Sequence, residues 1–322
     1  MTTAVTTDAQ SQGASAVKGP RRLRLLVWPI GEDSALVGTA WQWTENTAAL
    51  DIQSDGSRDT LGMSVQIEKT MMGLPNASTV KIWNCDEHTK EMLSIKNLKA
   101  IIYIQDPYNQ NWQEVFSGGI LSCISERSGP DIVTTLYIVS KTVLLMTLAS
   151  TISADSKPLR DILNDWLSTL KLKTVVFYGT VGDRVLKHFC HMGTYEEALN
   201  KLAFQEGFSW SVTGDQLTVA ADGSSSGNIV TITPDTGLIS AVPILSGPFY
   251  AMNGVNIHCY PIPMLQCFDK VSVEAYVNAA TVNRQSMLAN IIRMDLSTVE
   301  NQWDMEIVCY LNDPNIYLGG AS

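Results

Sequence analysis

Residues 156–170 read SKPLRDILNDWLSTL, and the periodicity of this stretch decides how the rest of the chain is partitioned. Its apolar residues are Leu159, Ile162, Leu163, Trp166, Leu167 and Leu170. They recur at three- and four-residue steps, the stripe of an amphipathic α-helix. Ser156 stands where an N-cap belongs, and Pro158 is tolerated in a first turn, where its missing N–H has no intrahelical acceptor. A second helix is signalled at Thr194. Thr194 and Glu197 make a capping box, Ala198, Leu199, Leu202 and Ala203 give the buried stripe, and Gly207 supplies the stop. FSWSVTGDQLTV (208–219) then reads as a hairpin turning at Gly214-Asp215. Residues 151–226 therefore predict a small α+β module, ending in a flexible GSSSG hinge at 223–227.

On both sides of this module the period falls to two. In GMSVQIEKT (62–70), Met63, Val65 and Ile67 face one way and Ser64, Gln66 and Glu68 the other, the mark of a half-buried strand. TVKIWN (79–84), AIIYIQ (100–105) and IVTTLYIVS (132–140) continue the pattern, separated by loops such as MGLPNAS, DPYNQNW and SGPD. Gly118-Gly119 falls inside VFSGGILSCISERS, where a glycine pair signals a bulge or sharp bend. After the module the β text resumes with NIVTIT, GVNIHCYPIP, KVSVEAYV, SMLANIIRMD and NQWDMEIVCYL. The expected fold is mainly β with an α+β insert. It comprises a flexible leader at 1–20, a first β-barrel at 21–150, the helix/hairpin module at 151–226 and a second β-barrel at 227–322.

Composition narrows the function. Thirty-two Asp and Glu against 22 Lys and Arg give a net charge of −10. That balance argues against a protein that grips nucleic acid by its phosphates. Charged residues make up only 17% of the chain, below the usual share of about 25%, as suits a surface partly covered by neighbours. The opening MTTAVTTDAQSQGASAV lacks the basic and apolar regions of a secretory signal, no apolar run approaches the ~20 residues of a membrane helix, and the six Cys form no CxxC. The Cys read as reduced, mostly buried residues of a protein made in a cytoplasm.

No residue pattern points to catalysis. HFCH (His188, Cys190, His191) is the one Cys/His cluster, and its spacing is wrong for a zinc finger. Asp161 and Asp165 lie opposite the apolar stripe of their helix, on a solvated face. No nucleophile elbow, P-loop, dinucleotide fingerprint or HExxH occurs. Asn76-Ala77-Ser78 matches a glycosylation sequon only in a secreted context. Trp166 and Trp210 read as core, and Trp41 and Trp43 as one aromatic face, either core or interface. The expectation is no catalytic, cofactor-binding or metal residue.

Four stretches carry a family resemblance. VQIEKTMMGLPNASTVKIWNCDEHTKEML (65–93) looks like the opening strands of phage tail hub proteins, with Pro75, Asn76, Ile82 and Asn84 in place. VFSGGILSCISERSGPDIVTTLYIVS (115–140) resembles the next hairpin, through Phe116, Gly118, Ile120, Arg127, Gly129, Asp131 and Thr134. Residues 153–219 are similar to the middle module. TGLISAVPI (236–244) and GVNIHCYPIPMLQCFDKVSVEA (254–275) look like the second barrel, with Tyr260-Pro261-Ile262-Pro263 and Cys267-Phe268 departing from the usual corner. The resemblance spans about 61–310 and is to baseplate hub proteins of contractile-tail phages and the hub part of type VI secretion spike proteins.

That resemblance implies a structural, non-enzymatic virion protein. It would form a homotrimer with two tube-like barrels per chain, adapt a six-fold tail tube to a three-fold spike, and line a channel for DNA. Its partners would be itself, the tail-tube ring, the central spike and other baseplate proteins, with no specific nucleic-acid binding, no membrane insertion and no cofactor. The alternatives are a tail-tube or tail-terminator subunit, a tail-associated cell-wall hydrolase, and a carbohydrate-binding β module.

Overall fold

The computed structural model describes residues 21–29, 50–71, 75–95, 98–105, 110–246, 251–274 and 286–310. The leader and the Trp41/Trp43 face lie outside the described residues. The first β region holds β1 (Leu23–Pro29), β2 (Leu50–Ser54), β3 (Met63–Thr70), β4 (Ala77–Trp83), α1 (Glu87–Leu93), β5 (Leu98–Gln105), β6 (Trp112–Ser128) and β7 (Asp131–Val139). The period-two reading of β3 holds for Met63, Val65 and Ile67, which are buried, and for Gln66 and Glu68, which are exposed, while Ser64 is buried as well. The second β region holds β15 (Ile229–Ile232), β16 (Leu238–Ser246), β17 (Ala251–Cys259), β18 (Lys270–Val273), β19 (Ser286–Ser297) and β20 (Trp303–Tyr310).

The mainly β class with an α+β insert holds, and the two β regions are joined strand to strand, with no closed barrel among the described residues. Among the described residues their strands lie on one hydrogen-bonded path, β16-β17-β20-β19-β3-β4-β7-β6-β5-β1-β2, with β15 and β18 branching from β19. The junction is β19. Its start pairs with β18, through Val271↔Met287, and its remainder pairs with β3, from Ile291↔Thr70 to Ser297↔Ser64. Asn290 interrupts the ladder to β20 between those halves, so the strand changes partner at a bulge. The Asn290 side chain accepts the Tyr310 N–H (2.9 Å) and its carbonyl accepts the Met71 N–H (3.1 Å). The path also curls back on itself: Ser54, ending β2, meets Thr298 beside β3 through their hydroxyls at 2.6 Å. One apolar core runs through both regions, from Leu23, Val65 and Leu136 to Ile257, Ile292 and Ile307.

At the glycine pair β6 changes partner, and Gly118 allows a close approach to β7. A Cβ on Gly118 would stand 2.3 Å from the Val139 carbonyl oxygen, whereas one on Gly119 would meet nothing nearer than Leu98 O at 4.0 Å. The bulge itself follows at Leu121, where pairing with β7 shifts between Ile120 and Ser122. Up to Gly119 the strand pairs with β5, and from Gly119 onward with β7.

The module contains α2 (Thr142–Thr147), β8 (Ala149–Ala154), β9 (Lys157–Pro158), α3 (Leu159–Leu167), β10 (Thr174–Tyr178), β11 (Val185–Leu186), β12 (Phe189–Thr194), α4 (Tyr195–Glu206), β13 (Phe208–Thr213) and β14 (Gln216–Ala221). Its separate core gathers Leu159, Ile162, Leu163 and Trp166 of α3 with Leu199 and Leu202 of α4 and Trp210 of β13. The capping box forms at Thr194/Glu197, and Gly207 ends α4 at φ 63°. Ser156 is not the cap of α3. It sits at φ 53°, and Pro158 occupies the N-cap position with no side-chain hydrogen bond, because the intervening Lys157-Pro158 pairs with β11. The GSSSG stretch is pinned rather than free: the Ser226 N–H donates to Phe268 O (2.9 Å) and the Ser224 N–H to Ala221 O (2.8 Å).

Candidate functional site

Directly opposed residues of antiparallel strands point to the same side of a sheet, so register defines a face. Eight strands, β16-β17-β20-β19-β3-β4-β7-β6, turn their apolar residues inward and share one outward stripe. Along it run Asn256 and His258 of β17, Glu306 and Asp304 of β20, Arg293 and Asp295 of β19, and Glu68 and Gln66 of β3. Thr79 and Lys81 of β4, Tyr137 and Thr135 of β7, and Ser122, Ile124 and Glu126 of β6 complete it.

Where the two β regions meet, this face is a polar network. Arg293 reaches Glu68 at 3.4 Å and Glu306 at 3.3 Å, Gln66 donates to Asp295 at 2.9 Å, and Asn256 donates to Glu306 at 2.6 Å. His258 pairs with Asp304. The Asn256 hydrogen bond, followed by the Arg293 contacts, holds the Glu306 carboxyl below its ordinary range against some desolvation. Hydrogen bonding to Glu306, with Glu68 nearby, raises Arg293. Five carboxylates (Glu68, Glu126, Asp295, Asp304, Glu306) face two fixed cations (Lys81, Arg293), a negative surplus.

The stripe ends in two open edges. Among the described residues, β16 pairs only with β17, and the second half of β6 only with β7. Both edges carry exposed apolar side chains, Leu121 (62%) and Ile124 on β6 and Ile239 and Val242 (58%) on β16. A strand edge left open and bearing apolar residues can template pairing with a further strand.

Behind the sheet, the module docks through polar contacts. Asn76, buried just before β4, accepts the Thr70 N–H (2.8 Å) and donates to Val212 O (2.8 Å) of β13. The Ser211 hydroxyl donates to Thr70 O at 2.8 Å. Asp215, at the hairpin turn, pairs with Lys141 at 2.8 Å and Lys173 at 3.0 Å. Burial pushes the Asp215 carboxyl up, but the hydrogen bonds from these lysines outweigh it and leave it lowered. Lys69 lies in this seam, fully buried, and donates to Gln266 Oε1 at 3.2 Å. Desolvation pulls its ammonium down to about 8, against the opposing field of Cys267, Glu114 and Asp269.

The residues weighed in the sequence fall elsewhere. His188 and Cys190 are exposed, with His188 facing Asp155 (3.3 Å), while His191 turns toward Glu197 (3.7 Å). Among the described residues no three His, Cys, Asp or Glu converge as a metal set. Asp161 and Asp165 are exposed, and Asp165 faces Lys157 at 3.7 Å. All six cysteines are free thiols, and burial pushes Cys259, Cys267 and Cys309 up to about 12. Lys69 escaped the sequence reading, yet the alternation of Met63, Val65 and Ile67 already places it on the inward side.

No family model matches the sequence. No curated protein matches it either. Solved structures do. The 43 kDa tail protein of prophage MuSo2 from Shewanella oneidensis superposes with a TM-score of 0.62 at 11% identity, covering 92% of this chain and 98% of that one. The tail protein from Neisseria meningitidis MC58 gives the same values. An Escherichia coli type VI secretion component, described as structurally similar to the T4 phage tail proteins gp27 and gp5, aligns with a TM-score of 0.55 at 9% identity, over 79% of this chain and 74% of that one. The chain has the fold of these phage tail proteins and of this type VI secretion component.

Proposed function

We propose that this chain is the structural hub of a contractile-tail baseplate. In this reading it is a homotrimer that adapts a six-fold tail tube to a three-fold spike and lines the channel through which DNA passes. The observation that carries the proposal is the continuous outward stripe, because it spans both β regions of one chain through the β3–β19 pair. Two tube-like halves on one wall let three chains present six positions around an axis. The open edges at β16 and β6 lie at opposite ends of that wall, so a rotated copy can bring one chain's β16 beside the next chain's β6. Such head-to-tail contacts close into a ring when the rotation allows.

The charge of the stripe fits a channel. A surplus of carboxylates disfavours sticking of phosphates, which a conduit for DNA needs. The partners are then the tube ring on one side, the spike on the other, and further baseplate proteins around the rim. The place of action is the virion tail, and the role is structural, with no catalytic centre. Native mass spectrometry and electron microscopy of the purified full chain test this directly: three copies around an axis support it, and a persistent monomer or a ring of six chains refutes it.

A further inference from the structure

The ammonium of Lys69 is enclosed where β3 meets the module, at 1% exposure. One of its three donors is used, on Gln266 Oε1. Among the described residues no carboxylate comes within ion-pair distance of it. Buried charges are ordinarily paired, because removing an ion from water is strongly unfavourable without a counter-charge. A cavity of about 120 Å³ opens beside Lys69, with room for several water-sized atoms. Ser117, Ser140 and Thr213 line it, from β6, the residue after β7 and the β13 hairpin respectively, and the Ser140 hydroxyl also shares a 2.9 Å hydrogen bond with that of Thr142. Glu114 also reaches its wall, but that residue is exposed. The lining thus holds one enclosed cation and three hydroxyl-bearing residues, against one carboxylate at the solvent side.

We propose that this cavity binds a small oxyanion, a carboxylate or a phosphate group, with the Lys69 Nζ as counter-charge and the hydroxyls of Ser117 and Thr213 as hydrogen-bond donors. The ligand bridges the sheet and the module, since its donors come from both. It therefore stiffens the joint between them. The oxyanion is supplied either as a free ion or by an acidic side chain of a second copy of this chain. Glu114 competes with it by lowering the local potential.

Isothermal titration of the full chain with inorganic phosphate and with acetate, at neutral pH and fixed ionic strength, tests the site. The wild type binds one of the two saturably, Lys69→Met weakens it by about ten-fold or more, and Glu114→Gln tightens it several-fold. If the free ions give no heat, but Lys69→Met weakens self-association in sedimentation equilibrium, the oxyanion comes from the second copy. Binding seen only with Glu114→Gln means that Glu114 already serves as the counter-charge, and overturns the proposal. Equal heats in wild type and Lys69→Met, or no heat together with unchanged association, also overturn it.

Discussion

Asn76 Nδ2 donates to the Val212 carbonyl at 2.8 Å across 136 residues of sequence, and the same side chain accepts the Thr70 N–H at 2.8 Å. One amide thus acts as a short piece of strand, satisfying backbone groups of the large sheet and of the module together. Asn76→Ala removes the hydrogen bonds that its side chain makes to both buried backbone groups. Each unmade bond costs about 1–3 kcal/mol, so a loss of roughly 3 kcal/mol is expected in urea unfolding. A loss below about 0.5 kcal/mol, the scale of an ordinary surface change, counts against the amide as the tie.

Gly118 and Gly119 are neighbours with opposite tolerance. The first faces the Val139 carbonyl, whose backbone has no slack, while the second faces open space. Gly118→Ala is expected to destabilise by about 2 kcal/mol or more, as overpacking against fixed atoms does. Gly119→Ala is expected to stay within about 1 kcal/mol of wild type, since Ala loses less backbone entropy than Gly. Paired thermal melts distinguish the two, and equal shifts refute the asymmetry.

The two helix starts also separate. Thr194→Ala removes a capping box and costs about 1 kcal/mol. Ser156 caps nothing and sits at φ 53°, a region where side chains carry a penalty of about 1–2 kcal/mol. Ser156→Gly is therefore expected to leave stability unchanged or raise it. A drop as large as that of Thr194→Ala shows that Ser156 acts as a cap after all.

Lys69 sets a pH dependence. Its ammonium titrates near 8 in the folded chain and near 10.5 when exposed, so the unfolded chain binds the extra proton between those values. Its contribution to stability rises with pH across that window, and below it the buried charge costs roughly 3 kcal/mol. Cys259, Cys267 and Cys309 act oppositely: raised from 9.0 to about 12, they favour the folded state below pH 9 and lose that advantage as pH climbs toward 12. The Lys69 term is isolated as the difference from Lys69→Met. That variant is expected to be more stable at neutral pH, with the gap narrowing as pH rises from 8 to 9. A gap that stays constant or widens contradicts a charged, enclosed ammonium.

Much of this architecture was legible locally. The strand at Met63–Thr70 and the hairpin at Phe208–Ala221 announce themselves, because each buries one face whose period is written in neighbouring residues. The Thr194 box was legible because capping is decided within four residues. The β3–β19 pair was not, since Glu68 and Arg293 lie 225 residues apart and nothing local records which strand edge meets which. It is this pair that joins the two β regions on one hydrogen-bonded path. Ser226 misled for a related reason: a Ser/Gly run reads as flexible, while its anchor at Phe268 belongs to a loop far along the chain.

The two open edges make the last test. Leu121 and Val242 are exposed in the isolated chain and make no contribution to its core, at the far ends of the eight-strand wall. Leu121→Lys or Val242→Lys should therefore change the unfolding free energy by no more than about 0.5 kcal/mol. A lysine on a strand edge blocks pairing with another strand, because its charge must be desolvated on contact. If the edges join copies into a closed ring, either substitution alone opens that ring, since every contact repeats the same two surfaces. Sedimentation velocity is expected to show the variants as monomers beside an associated wild type. Variants that assemble like the wild type would move the contact surface away from these edges, and with it the reading of the stripe as an inner wall.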